Sequence, residues 1–310
     1  MPTISKIFEH HIATQIQDYL QRTNVIHKTQ SGFRKHHSCH TALIRLVDTW
    51  IKEIDSGKLV GTVFLDLRKA FDLVDHEILI YKLKLYHFSE QSINLFKSYL
   101  TNRQQMVKIG NVQSEMLIVK SGVPQGSILG PLLFLLYINA ITFSCTQLNI
   151  DLYADDSTMF ASGFKLSEIQ VTLQTDLDSV EKWCILNNMS LHPKKSKCMT
   201  IGTRQRLQNI NQLTLKVNET FLENVTAQKV LGVFIDNTLN WRSHIDYVCK
   251  KLNSKIQLLK RVLYFLTDDM KSLFYNSYIL PVFDYCCTIW GKDNKSYINK
   301  IKNLKKELQN

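Results

Sequence analysis

The stretch that most constrains the fold is the apolar run from Ile128 to Ile141, interrupted only by Gly130, Pro131 and Asn139. A membrane span needs about 20 apolar residues in succession, so this run is too short to be one. It predicts a helix buried on every side, and such a helix needs a core built around it. The chain has the means: 45% of its 310 residues are hydrophobic and 21% are charged, a globular balance that excludes disorder, collagen and coiled coil as the main architecture. The length fits one large domain or two of ordinary size. Gly (11) and Pro (5) are too scarce for long flexible linkers.

Seven cysteines, an odd number without any Cys-x-x-Cys pair, point to free thiols in a reducing compartment. The start, MPTISKIFEHH, is broken by acid and histidine before any apolar run forms, so it does not read as a signal peptide. The expectation is a soluble intracellular protein of nucleus or cytoplasm, neither secreted nor attached to a membrane. The net charge of +11 is uneven, with 13 Lys/Arg against 6 Asp/Glu in residues 241–310. Such an excess suits a polyanionic partner, nucleic acid first, although a solvated basic surface explains charge alone equally well.

Periodicity predicts a helix over 4–21 and another starting after an N-cap at Ser38, with Leu43, Leu46, Val47, Trp50, Ile51 and Ile54 on one face. Residues 60–67, VGTVFLDL, read as a buried strand; helices follow at 76–86 and 89–101, then a hairpin over 104–120 turning at Ile109-Gly110-Asn111. A Gly/Pro turn, Ser121 to Gly126, opens the apolar helix. A second hairpin is predicted over 147–160, a long helix after it, and short strands at 197–202, 213–217 and 229–235. From 241 onward the chain reads as helical and basic. The fold class is α+β, a small sheet covered by helices, with a boundary in TRQRLQNI, residues 203–210.

Two acidic signals stand out. Asp66 ends a strand that is otherwise apolar, and Asp155-Asp156 falls at a hairpin turn. Each alone reads as a cap or a solvated turn. Together, carboxylates at the ends of neighbouring strands repel unless a cation sits between them, and a hard ion such as Mg²⁺ suits oxygen ligands of this kind. Two such ions can stabilise the attacking and leaving oxygens of an in-line displacement.

Three segments carry a family likeness. FLDLRKAFDLVDH (64–76), SGVPQGSILGPLLFLLYIN (121–139) and YADD (153–156) resemble, in order, the motifs called A, B and C of reverse transcriptases, closest to the non-LTR (LINE-type) retrotransposon branch. SKIFE (5–9), QSGFRKHHSCHTAL (30–43), LHPKKSKCMTIG (191–202), WRSHIDYVCKKL (241–252) and SYILPVFDYCCTIWG (277–291) resemble that branch's flanking regions. The resemblance implies a right-hand polymerase fold: partial fingers and a palm over 1–205, the palm a small antiparallel sheet backed by helices, then a helical, basic thumb over 206–310. It implies an RNA-directed DNA polymerase that extends a DNA primer 3′-hydroxyl on an RNA template using deoxynucleoside triphosphates. Protein partners are not indicated.

By that resemblance, Asp66, Asp155 and Asp156 hold two Mg²⁺ ions, with Mn²⁺ as substitute, and the Leu67 carbonyl adds a backbone ligand. Phe71 stands at the steric-gate position against a 2′-hydroxyl, or is a core phenylalanine. Gln125 and Gly126 flank the incoming nucleotide, as does Arg34. Tyr153 lies beside the primer terminus, or is a packed hairpin aromatic. Lys195 matches a lysine that gives a proton to pyrophosphate, although a run Lys194-Lys195-Ser196-Lys197 also reads as a solvated face, and His192 replaces the family's usual asparagine just before it. Lys250, Lys251 and Lys255 would contact primer and template phosphates. The cluster HHSCH (36–40) lacks the paired ligand spacing of a structural zinc site. The likeness also implies that the chain begins after part of the fingers, without an upstream endonuclease, and ends inside a continuing region. The competing expectation is an inactive fragment or domesticated remnant that binds nucleic acid without extending it.

Overall fold

The structure, a computed structural model, describes residues 3–291. The basic end KNLKKELQN, predicted to lie inside a continuing region, falls outside the described residues. In chain order come helices α1 (Thr3–Thr23) and α2 (Cys39–Asp55), strand β1 (Leu59–Leu65), and helices α3 (His76–Leu85) and α4 (Glu90–Leu100). A thin ribbon of β2 (Gln104–Gln105), β3 (Lys108–Ile109), β4 (Val112–Gln113) and β5 (Leu117–Ile118) leads to α5 (Leu129–Ile138). The hairpin of β6 (Asn149–Tyr153) and β7 (Asp156–Gly163) precedes the long α6 (Leu166–Leu186) and β8 (Lys197–Ile201). After α7 (Arg204–Gln208) come short strands β9 (Lys216–Val217), β10 (Thr220–Phe221), β11 (Glu223–Asn224), β12 (Ala227–Val230) and β13 (Val233–Asp236). The chain then turns helical: α8 (Arg242–Val262), α9 (Asp268–Phe274), α10 (Leu280–Asp284) and α11 (Cys287–Trp290).

The central sheet has the order β11-β8-β1-β7-β6. β1 runs antiparallel to both β7 and β8, and β6 pairs antiparallel with β7. The four strands within 1–205 form the expected antiparallel sheet, and β11, from beyond that part, extends it by joining β8 in parallel. The reason is connectivity: the chain between β8 and β11 is long enough to carry β11 back and enter the sheet in the same direction. The strand predicted over 229–235 is a hairpin instead. Leu231 (φ 45°) and Gly232 (φ 84°) are both left-handed and turn β12 back onto β13, the backbone pair that a tight hairpin requires. Of the strand predicted at 213–217, only its last two residues pair.

β1 is buried along its whole length, and its two faces feed different cores. Leu59, Val63 and Leu65 enter a core with α1 and α3–α6, whereas Val60 and Phe64 enter a second with α2, β12–β13, α8 and Trp290. Residues from both predicted parts, 1–205 and 206–310, share this second core. The Ser38 cap is as expected: its side chain accepts from the Thr41 N–H, and Thr41 returns the bond.

The apolar run forms α5, and nearly all of it is buried. No side chain of its own caps it; two buried charges from distant segments meet its ends. At the start, Glu9 of α1 accepts from the Ile128 N–H at 2.7 Å and from the Tyr99 hydroxyl at 2.9 Å. At the end, the Lys82 ammonium donates to the Tyr137 carbonyl at 2.6 Å and lies over the rings of Tyr137 and Trp183. A carboxylate at the N-terminus and an ammonium at the C-terminus both complement the helix dipole.

Burial depresses the Lys82 pKa to about 8. At Lys82 the folded chain binds fewer protons than the unfolded one between pH 8 and the ordinary lysine value near 10.4, so the contribution of this residue to stability is lowest below pH 8 and increases as pH rises through that window. Buried thiols and phenols act in the opposite sense over the same range: Cys145 and Cys184 are pushed up to about 12, Cys198 and Cys286 to about 11, and Tyr99 and Tyr137 to about 12. The lysine is therefore read by difference: in urea denaturation the stability of the parent relative to Lys82→Met should increase by about 2 kcal/mol from pH 8 to pH 10. Among the described residues no helix is long and apolar enough to cross a membrane.

Candidate active site

Strand register brings the predicted carboxylates together. Leu65 of β1 pairs with Ser157 of β7, so one step further the antiparallel register sets Asp66 opposite Asp156. Residues directly opposed in this way stand roughly 5 Å apart at Cα. Asp155 sits in the two-residue turn between β6 and β7, where Tyr153 pairs with Asp156. The three carboxylates sense one another: Asp156 is exposed on its outer side, yet the protein packed around it, then the charges of Asp155 and Asp66, raise its pKa. Among the described residues no three His, Cys, Asp or Glu side chains close into a metal cage. Like charges without a counter-ion hold apart, and Mg²⁺ needs only one or two carboxylates beside water and phosphate oxygens.

The turn is braced from behind by residues that carry no obvious chemical signal. The 29–32 segment lies along β6, with the Ser31 N–H donating to the Leu152 carbonyl at 2.8 Å and the Leu152 N–H to the Thr29 carbonyl at 3.1 Å. The fully buried Gln30 side chain accepts from the N–H groups of Gly32 and Ala154. Gly32 packs so tightly here that a Cβ would fall 2.2 Å from the Ala154 nitrogen. Ala154 itself holds φ 59°, a conformation that costs a non-glycine residue of order 1 kcal/mol or more and persists only where its surroundings enforce it. The Arg45 guanidinium, which pairs with Asp151 of β6, also donates to the Thr29 carbonyl at 2.9 Å.

Asp66 is fixed from the other side. Its N–H donates to the Ser196 Oγ at 3.1 Å, its carbonyl accepts from the His192 N–H at 2.8 Å, and Leu67 bridges to Leu191. The entry to β6 hangs on Asp176 of α6, which is 0% exposed. Its two oxygens accept from the N–H groups of Thr146, Gln147 and Leu148 and from the Thr146 hydroxyl.

The predicted nucleotide-side residues divide between the hairpin, the loop that braces it and the approach to α5. Phe71 is half-buried, stacked on Phe134 of α5 with ring centroids 4.3 Å apart and edge-on to Phe33; it is therefore at once a gate candidate and part of a packed aromatic column. Gln125 donates to Asp72 at 2.9 Å. Gly126 takes φ 75° with open space where a Cβ would stand, so the backbone there is accessible. Tyr153 is half-buried, and contact with the Cys39 thiol, then burial, pushes its hydroxyl up to about 12. Arg34 uses Nη1 on the carbonyls of His27 and Gln30, which makes it a brace of the loop that carries Gln30.

Lys195 is exposed, and its N–H donates to the His192 carbonyl at 3.0 Å. In the second, helical part, α8 buries Val248, Leu252, Ile256 and Leu259 and leaves Lys250 and Lys251 exposed, as the spacing predicts. The Lys255 ammonium is engaged with the ring and carbonyl of Tyr278.

A family model described as reverse transcriptase (RNA-dependent DNA polymerase) matches residues 1–235. The RNA-directed DNA polymerase from mobile element jockey of Drosophila funebris is 28% identical, over 99% of this chain and 34% of that protein. The probable RNA-directed DNA polymerase from transposon BS of Drosophila melanogaster is also 28% identical, over 98% of this chain and 34% of its own length. The chain thus spans about a third of the length of these curated relatives. Among solved structures, apo telomerase from Candida tropicalis superposes with a TM-score of 0.56 at 10% identity, over 98% of this chain and 59% of that one; a second structure of that protein, truncated from its C-terminal domain, gives 0.54 at 11% identity, over 76% of this chain and 44% of that one. At such identities the likeness concerns the fold, which is that of a right-hand polymerase. The chain belongs to the reverse transcriptase family, and its curated relatives lie on the non-LTR retrotransposon branch.

Proposed function

We propose that this chain is the palm and thumb of an RNA-directed DNA polymerase that lengthens a DNA primer on an RNA template by nucleotidyl transfer. The observation that carries the reading is the β1–β7 register, which sets Asp66 across from Asp156 with Asp155 in the adjoining turn. Reverse transcriptases generally use divalent metal ions. The donor set here, three mutually repelling carboxylates with the Leu67 carbonyl beside them, is all oxygen and fits Mg²⁺, or Mn²⁺ in its place. Two such ions, when bound, would supply charge neutralisation at the phosphates and a lowered pKa at the primer hydroxyl.

The chain's own part is positioning. Gln30, Gly32 and Ser196 hold the acidic residues so that no backbone reorganisation is needed on reaction. Gly126 exposes backbone to the incoming nucleotide, with Gln125 beside it. Tyr153 marks the primer end, and Lys195 is placed outside to give a proton to departing pyrophosphate. The exposed Lys250 and Lys251 add phosphate contacts without sequence preference.

Phe71 supplies sugar selectivity. Its ring is locked against Phe134, so it cannot swing aside for a 2′-hydroxyl. Phe71→Val should raise incorporation of ribonucleotides relative to deoxyribonucleotides by about 10-fold or more, the scale of one steric contact; an unchanged ratio in competition assays removes the gate assignment.

A second reading has one observation in its favour: Arg34, matched to a nucleotide contact, is tied to loop carbonyls. It holds the chain to be a nucleic-acid-binding remnant that does not extend. Primer extension on an RNA oligonucleotide with Mg²⁺ decides between them. Template-dependent extension supports the polymerase; binding of the primer–template without any extension supports the remnant.

A further inference from the structure

Beyond the acidic turn, the helical part contains a second built site. A cavity of about 370 Å³ opens between β12–β13, α8 and α10. Lys229, Lys251 and Lys255 line it together with Tyr247 and Tyr278, and no Asp or Glu is among the described residues around it. No ion pair joins any of the three lysines to a carboxylate among the described residues. Each ammonium lies over a ring instead: Lys229 over Tyr247 at 4.9 Å, Lys251 over the same ring at 5.9 Å, and Lys255 over Tyr278 at 3.4 Å. Three cations that converge without a counter-ion repel one another, and an anion between them removes that repulsion.

The wall thus offers ammonium groups and aromatic rings, the combination that suits a phosphate joined to a base.

We propose that this cavity binds a nucleotide, its phosphate among Lys229, Lys251 and Lys255 and its base against Tyr247 and Tyr278. The Leu231–Gly232 turn separates it from the cleft that Tyr153 and Asp156 line: Gly232 borders the cavity and Leu231 the cleft. It is therefore a site apart from the carboxylates. The proposal deepens the nucleic-acid-binding role given above to the helical part, and it needs no extension activity.

Calorimetric titration of the 1–310 chain without divalent ions tests it, using deoxyadenosine 5′-monophosphate, deoxyadenosine, inorganic phosphate and an eight-residue oligodeoxyadenylate. The expected result is saturable binding of the monophosphate, at least tenfold weaker binding of deoxyadenosine and of phosphate, and a loss of at least tenfold in Lys229→Gln and Tyr278→Leu. Asp155→Asn should bind the monophosphate as the parent chain does, which separates this site from the acidic turn. Lys229 and Tyr278 are exposed, and melting curves of both variants should match the parent. Absence of saturable binding, phosphate binding as tightly as the nucleotide, or affinity indifferent to Lys229→Gln would each overturn the proposal. Competition by the oligonucleotide assigns the site to a nucleotide within a strand; failure to compete assigns it to a free one.

Discussion

Asp155→Asn should lower primer extension by at least about 10²–10³-fold, the scale of removing one preorganised electrostatic group from a reaction centre, while the melting temperature stays level or rises. The two halves of this expectation come from the same geometry. Asp155 and Asp66 both raise the pKa of Asp156, so the three charges oppose one another in the free protein, and removing one relieves repulsion of order 1 kcal/mol at the protein surface. A residue that costs stability when present and activity when absent is held for function. Extension assays with a DNA primer, an RNA template and Mg²⁺, run beside thermal melts, read both quantities. Extension that survives in the variant would show that the chemistry lies elsewhere. Loss of extension with a lowered melting temperature would mean that the variant merely unfolds.

The second large effect is structural and sits one layer behind. Asp176→Ala should destabilise the protein by about 4 kcal/mol, because three backbone N–H groups and a hydroxyl lose one buried charged acceptor together, each orphaned donor costing about 1–3 kcal/mol less whatever water can enter. For a chain of this size that corresponds to a fall of about 6 °C in melting temperature. Asp176→Asn keeps the shape but points an amide NH₂ at N–H donors from Thr146, Gln147 and Leu148, so it should recover only part of the loss. Because these donors lead directly into β6, hydrogen exchange in the variant should quicken first at residues 146–153. Exchange that stays uniform across the molecule would show that Asp176 does not anchor that hairpin.

Much of the architecture was legible in the sequence where the signal is local. The apolar run became α5, the Ser38 cap opened α2, and the alternation in VGTVFLDL became a strand buried on both faces. The hairpin over 229–235 was missed because Val230, Val233 and Ile235 mask a Leu-Gly turn with an apolar run. The parallel edge of the sheet was missed because strand direction at an edge depends on the length of a connection rather than on any residue. At the site, the candidate carboxylates were legible, but their opposition across β1 and β7 is a matter of register between segments some ninety residues apart.

The bracing residues were hidden for a different reason: Glu9, Lys82 and Asp176 look like ordinary helix charges. A signal did exist. Glu9 shares a stripe with Ala13, Ile16 and Leu20, and Asp176 shares one with Leu173, Leu177 and Val180. A charge inside an apolar stripe is either an error of periodicity or a buried anchor. Gln30 and Gly32 gave no such sign, since their role depends on the backbone of a hairpin far along the chain.

The capping of α5 by Glu9 also bears on how the protein is made. Donor and acceptor are 119 residues apart, so at the usual pace of elongation Glu9 of α1 leaves the ribosome roughly 6–24 s before the Ile128 N–H that it accepts from exists. Throughout the later part of that lag an apolar helix face with an acid in its middle has only the α3–α4 region to dock on and lacks α5. Chaperone occupancy on nascent chains should therefore begin with α1 and end abruptly once the ribosome has released residues 128–138, and a Glu9→Leu chain should hold its chaperone for longer.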